Sequence, residues 1–301
     1  MKKSASCSPI RVTVGLCVKN SVFTIREAVR SIIAQDFSHE FVEIIVVDGH
    51  SKDNTLNLIM DGLKDTAIRS KVFHENEGIS KARQIVVDNA EGDYIIWVDG
   101  DMVLAKSFIR KQVEFMDQNQ TVGIAKGKYV PSKNHNVSIV AFLEDIEFLL
   151  STMFEGKTTS KSLGTSGCIY RAKAIKEVGG FDPYIIGVGE DMDAENRIRQ
   201  KGWLLYITSA LFYETRRQTW KSLWKEYYWH GRGGNSLFRK SWRVFKLYKM
   251  LPPVALFVEL LRVPKAYKIS RKKLVLLLPL HYTFKRIAWV FGFIKSELVK
   301  N

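Results

Sequence analysis

Cysteine is scarce: three residues, Cys7, Cys17 and Cys168, with no metal-type spacing. An odd, scattered set suits a reducing compartment better than a disulfide framework. Seven prolines, beside 12% aromatic and 46% hydrophobic residues, argue against extended disorder and supply a full core. Long hydrophobic runs are missing too. The polar, basic N-terminus leads into an apolar run of only about seven residues, short of a signal-peptide core with its cleavage site, so a cytoplasmic placement is expected. Two C-terminal apolar blocks, residues 274–280 and 287–294, are split by His281-Tyr282-Thr283-Phe284-Lys285-Arg286. A spanning helix needs about 20 mainly apolar residues, and these blocks point instead to monotopic or re-entrant membrane attachment.

Charge is unevenly spread. Residues 214–301 hold 20 Lys/Arg against 4 Asp/Glu, whereas the preceding 213 hold 26 against 27. A near-neutral body with a cationic last third calls for an anionic partner surface, nucleic acid or acidic lipid. Within that third, residues 236–250 set Phe238, Trp242, Phe245 and Tyr248 at helical spacing, with Arg239, Lys240, Arg243, Lys246 and Lys249 mostly between them. That is the pattern of a helix lying in a membrane interface. The expected division is a catalytic body over residues 1–235 and a basic, amphipathic, helical membrane-attachment region over residues 236–301.

The first 130 residues alternate β-branched runs with helical periodicity. Strands are expected over residues 11–18, 41–47, 71–74 and 94–98, with helices over 21–35, 53–63 and 79–89. This order predicts an α/β, Rossmann-like, doubly wound sheet, whose ligands bind beyond the carboxyl ends of the strands. Further on come a strand to residue 130, a helix over 140–154, a Gly/Ser-rich loop over 163–167 and a helix starting near residue 189. Specificity is expected in the loops at 132–137 and 155–163.

Acidic loops follow two of the strands. Asp99-Gly100-Asp101 places two carboxylates one residue apart, able to hold a hard divalent cation and a ribose. Asp-Gly is also ordinary turn chemistry. Asp48 and Asp53 flank a second loop, where Asp48 suits a base or ribose and Asp53 suits either that or capping the next helix. Glu190-Asp191 opens a helix after Gly187 and Gly189, as dipole partners or as a base for an acceptor hydroxyl. Lys81 and Arg83 begin another helix and are as consistent with solvation as with a phosphate. His74, His135 and His230 stand alone and read as structural.

Order and spacing decide between these readings. The run Val46-Val47-Asp48-Gly49-His50-Ser51-Lys52-Asp53, then Asn76-Glu77-Gly78 with Ala82-Arg83, then Asp99-Gly100-Asp101, then Gly179-Gly180-Phe181-Asp182 leading to Gly189-Glu190-Asp191, resembles the family-2 glycosyltransferases over residues 10–233. The resemblance implies a GT-A fold with a mixed or parallel sheet, and an inverting reaction consuming a UDP- or GDP-sugar with Mn2+ or Mg2+. It implies that Asn20, Asp48, Asp53, Arg83 and Asp99 bind the nucleotide-sugar. Asp101 and Asp99 would hold the metal, Asp191 would act as base with Glu190 beside it, and Gly164, Thr165, Ser166 and Gly167 would line the acceptor side. Many relatives carry a histidine where this chain has Tyr213-Glu214, so either Glu214 substitutes as a metal ligand or the metal has fewer protein ligands. The Gln-x-x-Arg-Trp signature of processive synthases is absent; Tyr228-Trp229-His230-Gly231-Arg232-Gly233 is similar to the corresponding region of single-transfer members.

The expected acceptor is therefore a lipid-linked or glycan hydroxyl met at the cytoplasmic face of a membrane rich in anionic lipid. Two other readings fit less well. Nucleotidyl transfer usually brings a Gly-rich loop after the first strand, and Cys17-Val18-Lys19-Asn20 has no glycine. A nucleic-acid-binding scaffold would use the basic third with its aromatics, yet would leave the apolar blocks no purpose beyond packing; no nucleic-acid partner is expected.

Overall fold

The alternating pattern folds as a sheet with helices on both faces. The computed structural model describes residues 10–131, 137–151, 155–158, 162–185, 187–240 and 247–298. The expected specificity loop at 132–136, the end of the helix expected to 154, part of the loop at 155–163, and Trp242 and Phe245 lie outside the described residues.

Strands β1 (Val12–Val18), β2 (Val42–Asp48), β3 (Arg69–His74) and β4 (Tyr94–Trp97) lie in the order β3-β2-β1-β4, all parallel, linked by α1 (Ile25–Ile33), α2 (Thr55–Leu63) and α3 (Ile79–Asn89). The chain steps outward from β1 to β3, then returns to the other side of β1 for β4. That reversal opens a crevice beyond the carboxyl ends of β1 and β4. β2 is buried along its whole length, which is why it is mainly apolar; its buried Glu43 accepts the Thr13 hydroxyl at 2.6 Å.

The second half makes the sheet mixed. β5 (Met102–Leu104), α4 (Phe108–Gln118), β6 (Val122–Tyr129), α5 (Ile139–Ser151), β7 (Gly156–Thr158), β8 (Cys168–Arg171), α6 (Ala172–Glu177), α7 (Glu190–Gln200) and β9 (Leu204–Glu214) follow in the chain. In space the order continues β4-β8-β6-β9-β5; β8 is antiparallel to both neighbours, and β5 and β7 are antiparallel to β9. One face packs Leu16, Ile25, Ile32, Ile44, Phe108 and Met116. The other packs Val86, Trp97, Tyr170, Ile175 and Ile198, with Trp97 edge-on to Tyr170 and Phe181 at 6.1 and 5.4 Å.

Three helices close the chain: α8 (Trp220–Lys240), α9 (Pro252–Ser270) and α10 (Leu278–Leu298). α8 and α10 run side by side in one direction, from the Trp220–His281 ring contact to the Arg239–Glu297 ion pair. They approach so closely that a Cβ at Gly231 would lie 1.9 Å from the Trp289 carbonyl oxygen, and one at Gly292 1.9 Å from that of Tyr228. The Gly-rich stretch of α8 is thus a helix-packing surface. Residue 235, the expected edge of the catalytic body, lies inside α8.

Two details of the sequence reading change. The described parts of residues 236–250 belong to two elements, the end of α8 and a 3-10 turn over Leu247–Met250, and Phe238 is half-buried against Phe293 at 5.9 Å. The two apolar blocks do not stand apart either: the second lies wholly in α10, which also takes up the end of the first, and the segment Lys273–Leu298 is long and apolar enough, by length and composition, to cross a membrane. The intervening Lys285 is fully buried, bonded to Glu144 and Glu147 of α5.

Candidate active site

The expected crevice exists as a cleft of about 550 Å³. Its walls come from the end of β1 (Lys19, Asn20), the loop after β4 (Asp99, Gly100, Asp101), the start of α7 (Glu190, Asp191) and the end of β9 (Glu214 to Arg217). Arg83 enters from α3, and α8 contributes Glu226, Trp229 and His230.

The Asp99-Gly100-Asp101 loop is both a turn and a cleft wall. Met102 N–H donates to the Asp99 carbonyl at 3.1 Å, closing the turn, and Thr215 N–H donates to the Asp101 carbonyl at 2.9 Å, tying it to β9. A Cβ at Gly100 would meet Ser21 Oγ at 2.9 Å, so the turn packs against the β1 loop only with glycine there. Burial, with Glu214 and Asp99 as negative neighbours, pushes the Asp101 carboxyl up to about 7.

Arg83 is buried and bonded to Glu190, with Asp99 at 3.7 Å. Burial and the Asp191 charge push Glu190 up to about 7 despite that bond. Asp191 begins α7 beside it, and a Cβ at Gly164 would lie 3.4 Å from Asp191 Oδ2. One turn along α7, Glu195 accepts the Leu163 and Gly164 N–H groups at 3.0 and 2.7 Å, while Lys126 Nζ donates to the Leu163 carbonyl at 2.5 Å. The Gly/Ser-rich loop is therefore stapled at its base. Gly164 to Gly167 do not themselves line the cleft; Ser166 reaches it through a bond to Glu214 Oε2 at 3.1 Å.

A hard divalent cation fits the Asp99–Asp101 end, where oxygen donors crowd and raise each other's affinity for positive charge. Glu214 is occupied by Arg216 at 2.9 Å and by Ser166. Among the described residues, the three-group set whose ligand atoms come within 4.8 Å of one another lies elsewhere, at Glu144, Glu147 and His281, with the Lys285 ammonium bonded to both carboxylates.

A second hollow of about 370 Å³ opens between the ends of β1 and β2 and the start of α3, sharing Cys17, Lys19, Ile79 and Trp229 with the first. Asp48 ends β2 close by, 3% exposed; Oδ2 accepts the Ser51 N–H at 3.0 Å and Oδ1 has no partner. Asn20 joins the two loops, its Oδ1 accepting the Lys52 N–H at 2.8 Å. Asp53 lies just before α2, where it accepts the Thr55 N–H at 3.1 Å and the Val22 N–H at 3.3 Å, and it lines neither hollow.

The model of the glycosyl transferase family 2 matches residues 13–179, more than half the chain. The chain belongs to glycosyl transferase family 2. Poly-beta-1,6-N-acetyl-D-glucosamine synthase of Staphylococcus epidermidis is 22% identical to this family-2 chain over 259 residues, 84% of the chain and 61% of the synthase. The chain thus spans about three fifths of that relative's length. An uncharacterized glycosyltransferase of Rickettsia conorii is 33% identical over 131 residues, 40% of the chain and 21% of that protein. Mannosyltransferase PcManGT from Pyrobaculum calidifontis, solved with GDP-Man and Mn2+, superposes with a TM-score of 0.67 over 100% of this chain and 92% of its own, at 18% identity. S. aureus TarS 1-349, solved with UDP, gives 0.55 over 96% and 92%, at 17% identity. The fold is GT-A, with a mixed sheet.

The family-2 chain brings Asn20, Arg83, Asp99, Asp101, Glu190, Asp191 and Glu214 to one cleft. The sequence reading misses Trp229, which lines both hollows, and Arg216-Arg217, Glu226, Glu195 and Lys126. The tandem arginines directly after Glu214 are a signal in the sequence; Glu195 and Lys126 carry none, because their partners are main-chain atoms of a distant loop.

Proposed function

We propose that the chain transfers one sugar from a nucleoside diphosphate sugar to a hydroxyl acceptor, with inversion, at a membrane surface. The observation that carries this reading is the meeting of Asp99-Asp101 and Glu190-Asp191 across one cleft at the reversal point of the sheet. The hollow between β1 and β2 suits the nucleoside, with Asp48 and Asn20 next in the chain to lining residues Val47, Gly49 and Lys19. The diphosphate falls toward Asp99 and Asp101, which would hold Mn2+ or Mg2+; the ion would supply charge stabilisation for the leaving group. Asp191 takes the acceptor proton as the acceptor oxygen bonds to the anomeric carbon. The anomeric C–O bond breaks and its electron pair leaves on the nucleoside diphosphate. Glu190, held by Arg83, orients the sugar or acceptor beside it.

A thermal-shift titration with UDP and GDP, each with and without Mn2+, tests the donor site. At about 100 times its dissociation constant a ligand adds about 2.7 kcal/mol of stability. One nucleotide is expected to stabilise the wild type in a metal-dependent way, and Asp101→Ala is expected to lose most of that gain. No shift with either nucleotide would remove the donor-site reading.

The membrane half rests on exposure. Of 21 large hydrophobic side chains exposed among the described residues, 15 fall between Tyr248 and Leu298, including Leu256, Phe257, Leu260 and Leu261 on α9 and Leu280, Ile287, Phe291 and Ile294 on α10. Exposed Lys265, Lys268, Arg271, Lys272 and Lys273 follow at one end. An apolar face beside a cationic corner matches an anionic bilayer interface, where each cation contributes about 1 kcal/mol. Flotation with phosphatidylglycerol-containing vesicles should carry the wild type upward, and Phe257→Glu with Leu261→Glu should cut the floated fraction at least about fivefold. Complete release in high salt would argue against apolar insertion.

A further inference from the structure

Two buried ionisable side chains converge on one stretch of main chain, and the reaction described above uses neither. Glu195 lies one turn along α7 from Asp191, and Lys126 lies on β6. Burying such groups is costly unless their polar atoms are bonded. Around them Ala194, Ile198 and the Leu163 side chain pack as an apolar cluster, so packing alone does not call for either residue. Both direct their bonds to the Leu163–Gly164 main chain. Glu195 accepts the Leu163 N–H at 3.0 Å on either oxygen and the Gly164 N–H at 2.7 Å. Lys126 donates to the Leu163 carbonyl at 2.5 Å. The peptide between residues 163 and 164 is therefore gripped through its carbonyl and its N–H at once.

The gripped residue is the one that meets Asp191. Gly164 has a φ of +71°, where a side chain is disfavoured, and a Cβ there would lie 3.4 Å from Asp191 Oδ2 and 4.0 Å from Lys126 Nζ. The far end of the loop is anchored separately. There the Gly127 N–H donates to the Gly167 carbonyl at 2.8 Å, and the Cys168 N–H to the Thr165 carbonyl at 2.9 Å. At the near end the Cys168 thiol, a weak donor, reaches the Gly164 carbonyl at 3.0 Å, and the strong bonds are those of Glu195 and Lys126. Asp191 has one oxygen fixed locally, Oδ1 on the Met192 N–H at 2.7 Å, and Gly164 bounds the other.

We propose that Glu195 and Lys126 are positioning residues for transfer: they hold the Gly164 backbone against the Asp191 carboxylate and so fix the direction in which Asp191 meets an acceptor. The proposal rests on the reading of Asp191 as the base and adds what keeps it in place. A reacting group displaced by about 1 Å costs about 10²-fold in rate. Burial, and then the Asp191 charge, push the Glu195 carboxyl up to about 8. Near neutral pH it keeps its proton, and its other oxygen still accepts both N–H groups. The grip needs an oxygen at this position and not a charge, which spares Asp191 a second negative neighbour in the same buried site.

Hydrogen exchange of the full chain, resolved to single residues by electron-transfer fragmentation, tests the grip without a substrate. Glu195→Leu and Lys126→Met are each expected to speed exchange at Leu163 and Gly164 by about 10- to 100-fold, the loss of one or two buried bonds. Met192, whose N–H is covered by Asp191, should speed up with them. Glu195→Gln keeps the accepting oxygen and should stay within about threefold of the wild type at all three residues. Nucleoside diphosphate release from UDP- or GDP-sugars, whichever the nucleotide titration selects, should fall about 10²-fold in the first two variants with the donor KM within about threefold. Wild-type exchange at Leu163 and Gly164 in both of those variants overturns the proposal. So does a loop that opens with Met192 unmoved, or one that opens with turnover undiminished. Faster exchange throughout β1 to β4 in Glu195→Leu would report misfolding, and Lys126→Met then decides. A wild type with no nucleotide-induced thermal shift defeats the site reading, whereas exchange at residues 163, 164 and 192 still judges the grip.

Discussion

Asp191→Asn is expected to lower sugar transfer by about 10²- to 10⁴-fold, the range for removing a positioned general base, while leaving nucleotide binding near the wild-type level. Asparagine keeps the shape of the side chain and accepts a hydrogen bond, but cannot take a proton from the acceptor. Asp191 sits in the first turn of α7, where its Oδ1 accepts the Met192 N–H at 2.7 Å. Its other oxygen lies against Gly164, where a Cβ would come within 3.4 Å, and Asp191 does not line the nucleoside hollow. Loss of the charge should therefore appear in turnover and not in the nucleotide-induced thermal shift. The assay follows release of nucleoside diphosphate from whichever donor that titration selects. Glu190→Gln should behave otherwise. Its partner Arg83 is buried, and weakening that pair leaves a guanidinium short of countercharge, so stability and nucleotide affinity should both fall. An Asp191→Asn variant as active as the wild type would move the base role away from this residue.

The parts of this chain that sequence makes legible are those set by short-range pattern. β1 to β4 and their helices follow from apolar runs and helical periodicity. The Asp99-Gly100-Asp101 loop follows because a strand must end where its apolar run meets two carboxylates and a glycine. The other half of the sheet is written in long-range terms. β5 and β7 have three residues each and exist only because β9 offers them an edge. α4 buries Phe108, Ile109, Val113 and Met116, a helical stripe present in the sequence and passed over.

The site divides the same way. Its carboxylates are visible, but what holds them is not. Nothing local links Arg83 to Glu190, 107 residues later, or Glu195 to the main chain of residues 163 and 164. Asp53 is a mixed case: its oxygens accept the N–H of Thr55, two residues on, and that of Val22 in a distant loop. In the C-terminal third, composition separates apolar from cationic residues but not inward from outward ones. Phe238 turns inward, whereas Phe257 and Leu261 are 64% and 68% exposed.

Lys285→Leu is expected to destabilise the protein by about 3–5 kcal/mol, the usual result of removing one partner from a buried ion pair. In the sequence Lys285 counts against a membrane span; in the structure it is the cation between two acids of α5. Its side chain is fully buried, bonded to Glu144 and Glu147, with the Tyr227 ring 4.5 Å away. Leucine fills the space but leaves two carboxylates without their cation. Thermal melts followed by circular dichroism should show a drop of about 5–15 °C. Glu144→Gln with Glu147→Gln in the Lys285→Leu background should recover much of it, because no charge is then stranded. A single variant that melts with the wild type would mean that water or a rearranged side chain reaches these acids. The consequence extends to the cleft through the next residue of α5. Asp145 is bonded to Tyr129 and lies 3.8 Å from Arg216, whose guanidinium holds Glu214 on the cleft wall. α5 thus carries the C-terminal helix on Glu144 and the cleft on Asp145, so a variant that loosens α10 should also weaken metal-dependent nucleotide binding. Restoring neutrality at Glu144 and Glu147 should bring both back together.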